Sequence, residues 1–289
     1  PDQAARAVRL LSAAAEARPR SAIYQHELGQ AHLAQGLCHP AGSKERTITL
    51  RAALSHWRKA RDLSPVMPST HARLGRYRDL FEHADPALAY LERARSLLPA
   101  DAEMAYFCGL ARLEAGDLAG ACIDWRASLN GTEKYLPEIL VQALPHIGAD
   151  GILRDILPDR PTVLLKAADL LFPESKRGSP ARRQFLEKAR DGLAAKTMGK
   201  TAAEWELQAR LESSLGRNAE SVAAYQRAVG LSPRQIAWRI AYAEQLRQAG
   251  SLNIARRELE TVLDLEPDNR SARDQLDVVK REIQLKEPK

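Results

Sequence analysis

The sequence predicts an all-α fold, a solenoid of antiparallel helix hairpins, and three observations carry that reading. The first is an internal repeat. Ala53, Ala87 and Ala121 fall 34 residues apart, as do Trp57, Leu91 and Trp125 and the pairs Ala60/Ala94, Pro65/Pro99 and Gly75/Gly109. A fixed period of that length marks a helix-turn-helix unit that buries its apolar face only by stacking on its neighbours. The second is composition: aromatic residues make up 5% of the chain, and abundant Ala, Leu and Arg suit helices and disfavour a β fold. The third is punctuation. Prolines follow second helices at Pro19, Pro65, Pro99, Pro233 and Pro267, where proline cannot supply the next helical N–H.

At 289 residues an ordinary chain forms one large or two ordinary domains. A solenoid escapes that estimate, because its stability sums over repeats and their neighbours. The net charge of +6, with a pI near 9.3, is spread over many helices. It reads as solvated surface rather than the one-sided footprint of a nucleic-acid binder. Cys38, Cys108 and Cys122 are odd in number and form no close pair. They are expected as buried free thiols, with Cys108 facing Cys122 across one hairpin as the alternative. No apolar run approaches a membrane span and no signal peptide is visible. The chain opens inside what reads as the second helix of a repeat, so an upstream segment is expected.

That opening helix, Asp2 to Arg18, carries Ala7, Leu11 and Ala14 and is stopped by Pro19. Ser21 can cap the next helix, which runs to about Gly36 with Leu28 and Gly29 at the close-packing point. Gly29 to Gly75 is longer than one period by about twelve residues, which places an insertion at about 37–46, a longer loop and an extended second helix. Two regular repeats follow. One joins Leu74-Gly75 to Ala87–Leu98 through Asp85-Pro86; the other runs from Asp101 through Gly116 to Leu129 and ends at Asn130-Gly131. Together these form an N-terminal block, 1–131.

Over 132–199 the register fails. Prolines at 137, 145, 158, 161, 173 and 180 predict short helices over about 133–145, 149–157, 161–172 and 180–197, with stripes such as Leu140, Leu144 and Ile147. The segment reads as two degenerate repeats, with a break in the superhelix as the alternative. The period returns over 200–289, in Ala209/Ala243, Gly216/Gly250, Tyr225/Leu259 and Pro233/Pro267. Asp268 to Lys286 is a last helix, apolar at Leu276, Val279 and Ile283 and charged on its other side, as an end cap should be.

These residues resemble the tetratricopeptide repeat (TPR) superfamily. Leu74, Gly75, Ala87, Leu91, Ala94 and Pro99 match its pattern, as do Trp205, Ala209, Gly216, Tyr225, Ala228 and Pro233; Cys108 and Gln208 stand where the family has leucine. The resemblance implies a right-handed α-solenoid of TPR-like helix hairpins, whose first helices line a concave groove that binds a peptide or protein segment. It speaks to fold more than to function, because the matched residues are packing residues.

Counted in register, the groove-facing positions include His26, Gln30, Arg76, Tyr106, Glu206, Arg210, Ile240, Glu244 and Arg247. A polar, aromatic and arginine lining suits a mildly acidic peptide; the competing view is that any solenoid carries polar residues there. One family subtype clamps a terminal carboxylate with lysine and asparagine, and no asparagine occupies these positions. The densest basic stretch, Glu174 to Arg183, offers Lys176, Arg177, Arg182 and Arg183 as candidate contacts for an anion or an acidic partner. Ser179-Pro180 places Arg182 and Arg183 at a helix N-terminus, where cations oppose the dipole unless an anion compensates. A solvated loop is the alternative.

Catalytic and metal motifs fail on inspection. After His26-Glu27 the next histidine is His32, and Gln30 holds the place a zinc-binding helix requires. Gly199-Lys200-Thr201 has Ala194 where a phosphate-binding loop has its first glycine, and Cys38-His39 is far short of a zinc set. Asn130-Gly131-Thr132 and Asn269-Arg270-Ser271 fit the glycosylation triplet, which matters only in a secretory setting. No catalytic residue, metal or cofactor is therefore expected. The chain reads as a non-enzymatic scaffold or adaptor that binds a peptide or protein and supports complex assembly. Its Ala/Arg-rich composition leans bacterial, soluble or attached to a membrane complex. The alternative is the soluble TPR domain of a membrane-associated envelope or polysaccharide assembly system, reaching the membrane only through a missing segment or a partner. An RNA-binding solenoid comes third.

Overall fold

The computed structural model describes residues 2–77, 87–173, 178–195 and 199–286. Among them every regular element is helical, as the composition and the 34-residue period predict. The helices fall into two compact units, Pro1–Tyr135 and Leu136–Lys289. The expected division at 131 lies close to the boundary between them, and the one at 199 lies inside the second unit.

The first unit holds α1 (Asp2–Ala17), α2 (Ala22–Leu37), α3 (Lys44–Leu63), α4 (Pro68–Arg76), α5 (Ala87–Leu97), α6 (Ala102–Glu114) and α7 (Leu118–Gly131). Helix starts follow local chemistry. Ser21 accepts the Tyr24 N–H at 3.3 Å, Asp101 accepts those of Glu103 and Met104 at 2.8 and 3.0 Å, and Asp117 accepts that of Gly120 at 2.9 Å. Proline opens α4, where its missing N–H costs nothing. Residues 38–43 separate α2 from α3, against 115–117 between α6 and α7, and α3 has 20 residues against 14 in α7.

Each hairpin closes on a small residue set against a large one. A Cβ added at Gly29 would stand 2.5 Å from the Trp57 indole, at Gly75 2.6 Å from Leu91 and at Gly109 2.4 Å from Trp125. Trp57, Trp125, Ala53, Ala60, Ala94 and Ala121 are completely buried. The repeat register is thus a record of helix–helix contact.

The second unit begins with α8 (Leu136–Gly151) and a π-helical turn (Ile152–Ile156), followed by α9 (Pro161–Leu171), α10 (Pro180–Ala194), α11 (Ala202–Ser214), α12 (Asn218–Leu231), α13 (Ile236–Gln248), α14 (Leu252–Leu265) and α15 (Arg270–Lys286). One boundary differs from expectation. The helix expected to stop at Pro145 runs past it and breaks at Gly148, with φ 65° and ψ −178°. Proline removes one backbone donor from the ladder, but the left-handed turn that ends the ladder needs a residue without Cβ. Ser179 caps α10 through the Arg182 N–H at 3.1 Å, with Pro180 first in the helix. Thr201 and Glu204 form a capping box on α11. The later hairpins share one core in which Ala209, Tyr225, Ala243 and Leu259 hold the repeating positions, and Leu276 and Val279 of α15 close it.

All three thiols are free, and Cys108 and Cys122 are buried; burial pushes the Cys108 thiol up to about 11. Cys38 departs from expectation. It lies exposed at the end of α2, where its thiol reaches the Ala34 carbonyl at 3.3 Å.

Candidate interaction surface

In the first unit α4 and α6 bring two predicted residues onto one strip. Arg76, in the last turn of α4, lies 4.5 Å over the Phe107 ring and donates to Glu103 at 3.0 Å. Phe107 contacts Tyr106 at 5.1 Å between ring centroids. Tyr106 in turn stacks on Tyr135, at 4.4 Å and 8° between ring planes. Lys134 completes the run, 4.8 Å over the Tyr135 ring and donating to its hydroxyl at 3.1 Å; that bond raises the lysine's pKa. The result is a run of three aromatic rings, Phe107, Tyr106 and Tyr135, with a cation at each end. Beside it, Pro68, Ala72, Arg76, Glu103 and Met104 line a cavity of about 230 Å³.

Phe107, Lys134 and Tyr135 are absent from the residues read from the sequence. Phe107 follows Tyr106 directly and was within reach of the register. Lys134 and Tyr135 come after Asn130-Gly131, where the period is lost.

His26 is placed differently. It is 3% exposed, on the face of α2 that meets α4. Gln30 Nε2 donates to its Nε2 at 3.4 Å, so Nδ1 carries the proton that meets Thr70 Oγ1 at 3.0 Å. Burial holds the ring below its usual pKa, with Arg73 lowering it further against the opposing pull of Glu27. His26 is a packing residue here, and Gln30 is its half-buried partner.

In the second unit the predicted residues occupy two places. On α11, Arg210 is exposed and faces Glu206 at 3.9 Å; burial raises the Glu206 carboxyl, opposed by Arg210. On α13, Arg247 forks onto both Glu244 oxygens at 2.8 Å and onto Glu282 of α15 at 2.6 Å. Those bonds lower Glu244 and raise Arg247, so this cluster ties α13 to α15. Ile240 is half-buried against the core.

Of the basic stretch, Arg182 and Arg183 are described, and they differ in burial. Lys176 and Arg177 lie outside the described residues. Arg183 is exposed and pairs with Glu187 one turn on, at 3.0 Å. Arg182 is buried at 5% exposure and donates to Asp169 at 3.0 Å, contrary to a solvated-loop reading. Among the described residues no three histidine, cysteine or carboxylate side chains group as metal ligands. No described helix is long and apolar enough to cross a membrane.

No family model and no curated protein matches the chain. Solved structures do, at low identity. Yeast Tom70 is 13% identical with a TM-score of 0.39, over 98% of this chain and 60% of that one. TTC0263, a TPR protein of Thermus thermophilus, is 20% identical with a TM-score of 0.37, over 74% of this chain and 98% of its own. The TPR domain of P58(IPK) is 13% identical with a TM-score of 0.32, over 99% and 95%. The chain thus spans about 60% of the length of Tom70. It is similar to TPR proteins, and the likeness is one of fold.

Proposed function

We propose that the chain is a non-catalytic scaffold that holds a peptide or protein segment against the cation–aromatic strip of α4 and α6, serving as an adaptor in complex assembly. The strip itself is the observation that supports this. Tyr and Arg dominate binding energy at interfaces because they offer large rigid area and directed donors for little lost freedom. The Arg76–Glu103 pair is 38% and 41% exposed, and an exposed pair contributes at most about 1 kcal/mol. A carboxylate on an incoming segment can therefore take the place of Glu103, while the half-buried Tyr106 ring, backed by the buried Tyr135, accepts an apolar or aromatic neighbour. An acidic residue beside an aromatic one is the motif this surface selects.

The test is affinity purification from native cells with the intact protein and with an Arg76→Ala/Tyr106→Ala variant whose circular dichroism matches it. A partner held by the wild type and lost from the variant supports the strip. A partner retained equally by both removes the strip from consideration and moves the interface elsewhere.

A further inference from the structure

The second unit contains a cavity of about 700 Å³, walled by α9, α10, α11 and α12. Its charged and polar lining is two arginines, Arg182 and Arg210, one carboxylate, Asp169, and the hydroxyls of Ser213, Ser214 and Tyr225. A guanidinium offers five N–H donors and no acceptor. Among the described residues, the Arg182 guanidinium meets one acceptor, Asp169 at 3.0 Å, and its buried Nε–H has none. A buried cation so sparsely satisfied is costly unless something else accepts from it. Asp169 is 51% exposed, so this compensation is also shared with water.

The other walls point the same way. Tyr225 is 4% exposed and lines the cavity, and burial pushes its pKa up to about 12. It therefore stays a donor at any physiological pH. Arg210 reaches the cavity from α11 and approaches Glu206 at 3.9 Å. Ser213 and Ser214 add hydroxyls, and Phe172 supplies an apolar wall. Two guanidinium groups outnumber the one carboxylate, Asp169, which is engaged by Arg182; with a phenol and two hydroxyls against an aromatic face they call for a ligand with several acceptor oxygens, negative charge and an apolar body.

We infer that this cavity is a binding site for an oxyanion, a carboxylate or phosphate carried on an apolar body, with Arg182, Arg210 and Tyr225 as the recognition groups. The site lies wholly in the second unit and does not depend on the strip in the first. Two sources share its chemistry: a free small organic acid or phosphate ester, and an acidic side chain of a bound peptide.

The test is isothermal titration calorimetry of the full chain at low ionic strength. The small probes are phenyl phosphate and 3-phenylpropionate. The peptide probes are acetyl-Phe-Glu-Phe-amide and its Gln counterpart. Tyr225→Phe keeps the ring in the core and deletes only the hydroxyl, and Arg210→Gln alters an exposed side chain, so both variants should keep the fold, as circular dichroism checks. Each should weaken binding about tenfold or more, the effect of losing one hydrogen bond to a charged group. Arg154→Gln, an exposed arginine of the same unit that does not line the cavity, should leave affinity unchanged. Binding of the small probes alone identifies a free ligand. Binding of the Glu peptide without its Gln counterpart identifies a peptide side chain. Either result upholds the site. Failure of every probe to bind the wild type, or affinity equal in wild type, Tyr225→Phe and Arg210→Gln, overturns it.

Discussion

In the first unit the closest approach within each hairpin sets glycine against a bulky side chain: Gly29 against Trp57, Gly75 against Leu91, Gly109 against Trp125. In the second unit the same repeat positions hold Ala209 and Ala243, with Tyr225 and Leu259 as the large members. At Gly109 a Cβ would collide with the indole at 2.4 Å. In the second unit Ala209 and Ala243 sit fully or almost fully buried beside their partners. The Ala209 carbonyl also accepts from Ser221 at 2.9 Å, so the two helices approach closely with that Cβ in place. What repeats is therefore the pairing of a small residue with a large one, and the sizes vary: leucine is the large member for both Gly75 and Ala243.

The largest expected effect comes from removing the large member. Trp125→Ala deletes a wholly buried indole and should cost about 3–5 kcal/mol, read from urea unfolding. A cost below about 1 kcal/mol would mean the indole is not what fills the hairpin. Next are the reciprocal exchanges. Gly109→Ala should destabilise by roughly 1–2 kcal/mol, overpacking offset in part by the better helix propensity of alanine. Ala209→Gly should cost about 1 kcal/mol from the backbone alone. If Gly109→Ala instead stabilises, as it would at an open helix site, the contrast between the units collapses.

The smallest effect concerns acid. Six of the seven histidines lie in the first unit, and burial lowers the pKa of His26, His32 and His56. The folded state then binds fewer protons than the unfolded chain, so the stability from these rings is present above about pH 6.5 and is lost as pH falls through and below the lowered values. Thermal melts should be flat from pH 8 to 7 and drop toward pH 5, and a triple His26→Gln/His32→Gln/His56→Gln variant should flatten that drop. An unchanged slope would return the acid sensitivity to other groups.

The hairpins were legible because packing and turns leave local marks. Gly29, Gly75 and Gly109 sit where a Cβ cannot, and Ser21 and Asp101 stand where orphan N–H groups need an acceptor. The strip was half legible. Arg76 and Tyr106 fall in register, but Tyr135 meets Tyr106 only through a fold-back after Gly131 that no period encodes. Burial of charge was the hardest to read. Arg182 and Arg183 are neighbours in a basic run, yet successive helical residues point about 100° apart, so one turns inward to Asp169 and the other outward to Glu187. His26 was misplaced for a related reason. Its position relative to Gly29 says which face it is on, but not that Thr70 of α4 closes over it.

The two wholly buried indoles of the first unit also differ in one bond. Trp57 donates its Nε1–H to the His26 carbonyl at 3.2 Å, whereas the Trp125 Nε1–H has no acceptor among the described residues. An excited indole stabilised by a nearby dipole emits to the red of one in an apolar cage. The first unit thus carries two optical reporters of different colour, one in the α2/α3 hairpin and one in α6/α7, and once Trp205 and Trp238 of the second unit are replaced by phenylalanine the loosening of either hairpin can be followed separately by light without attaching a label.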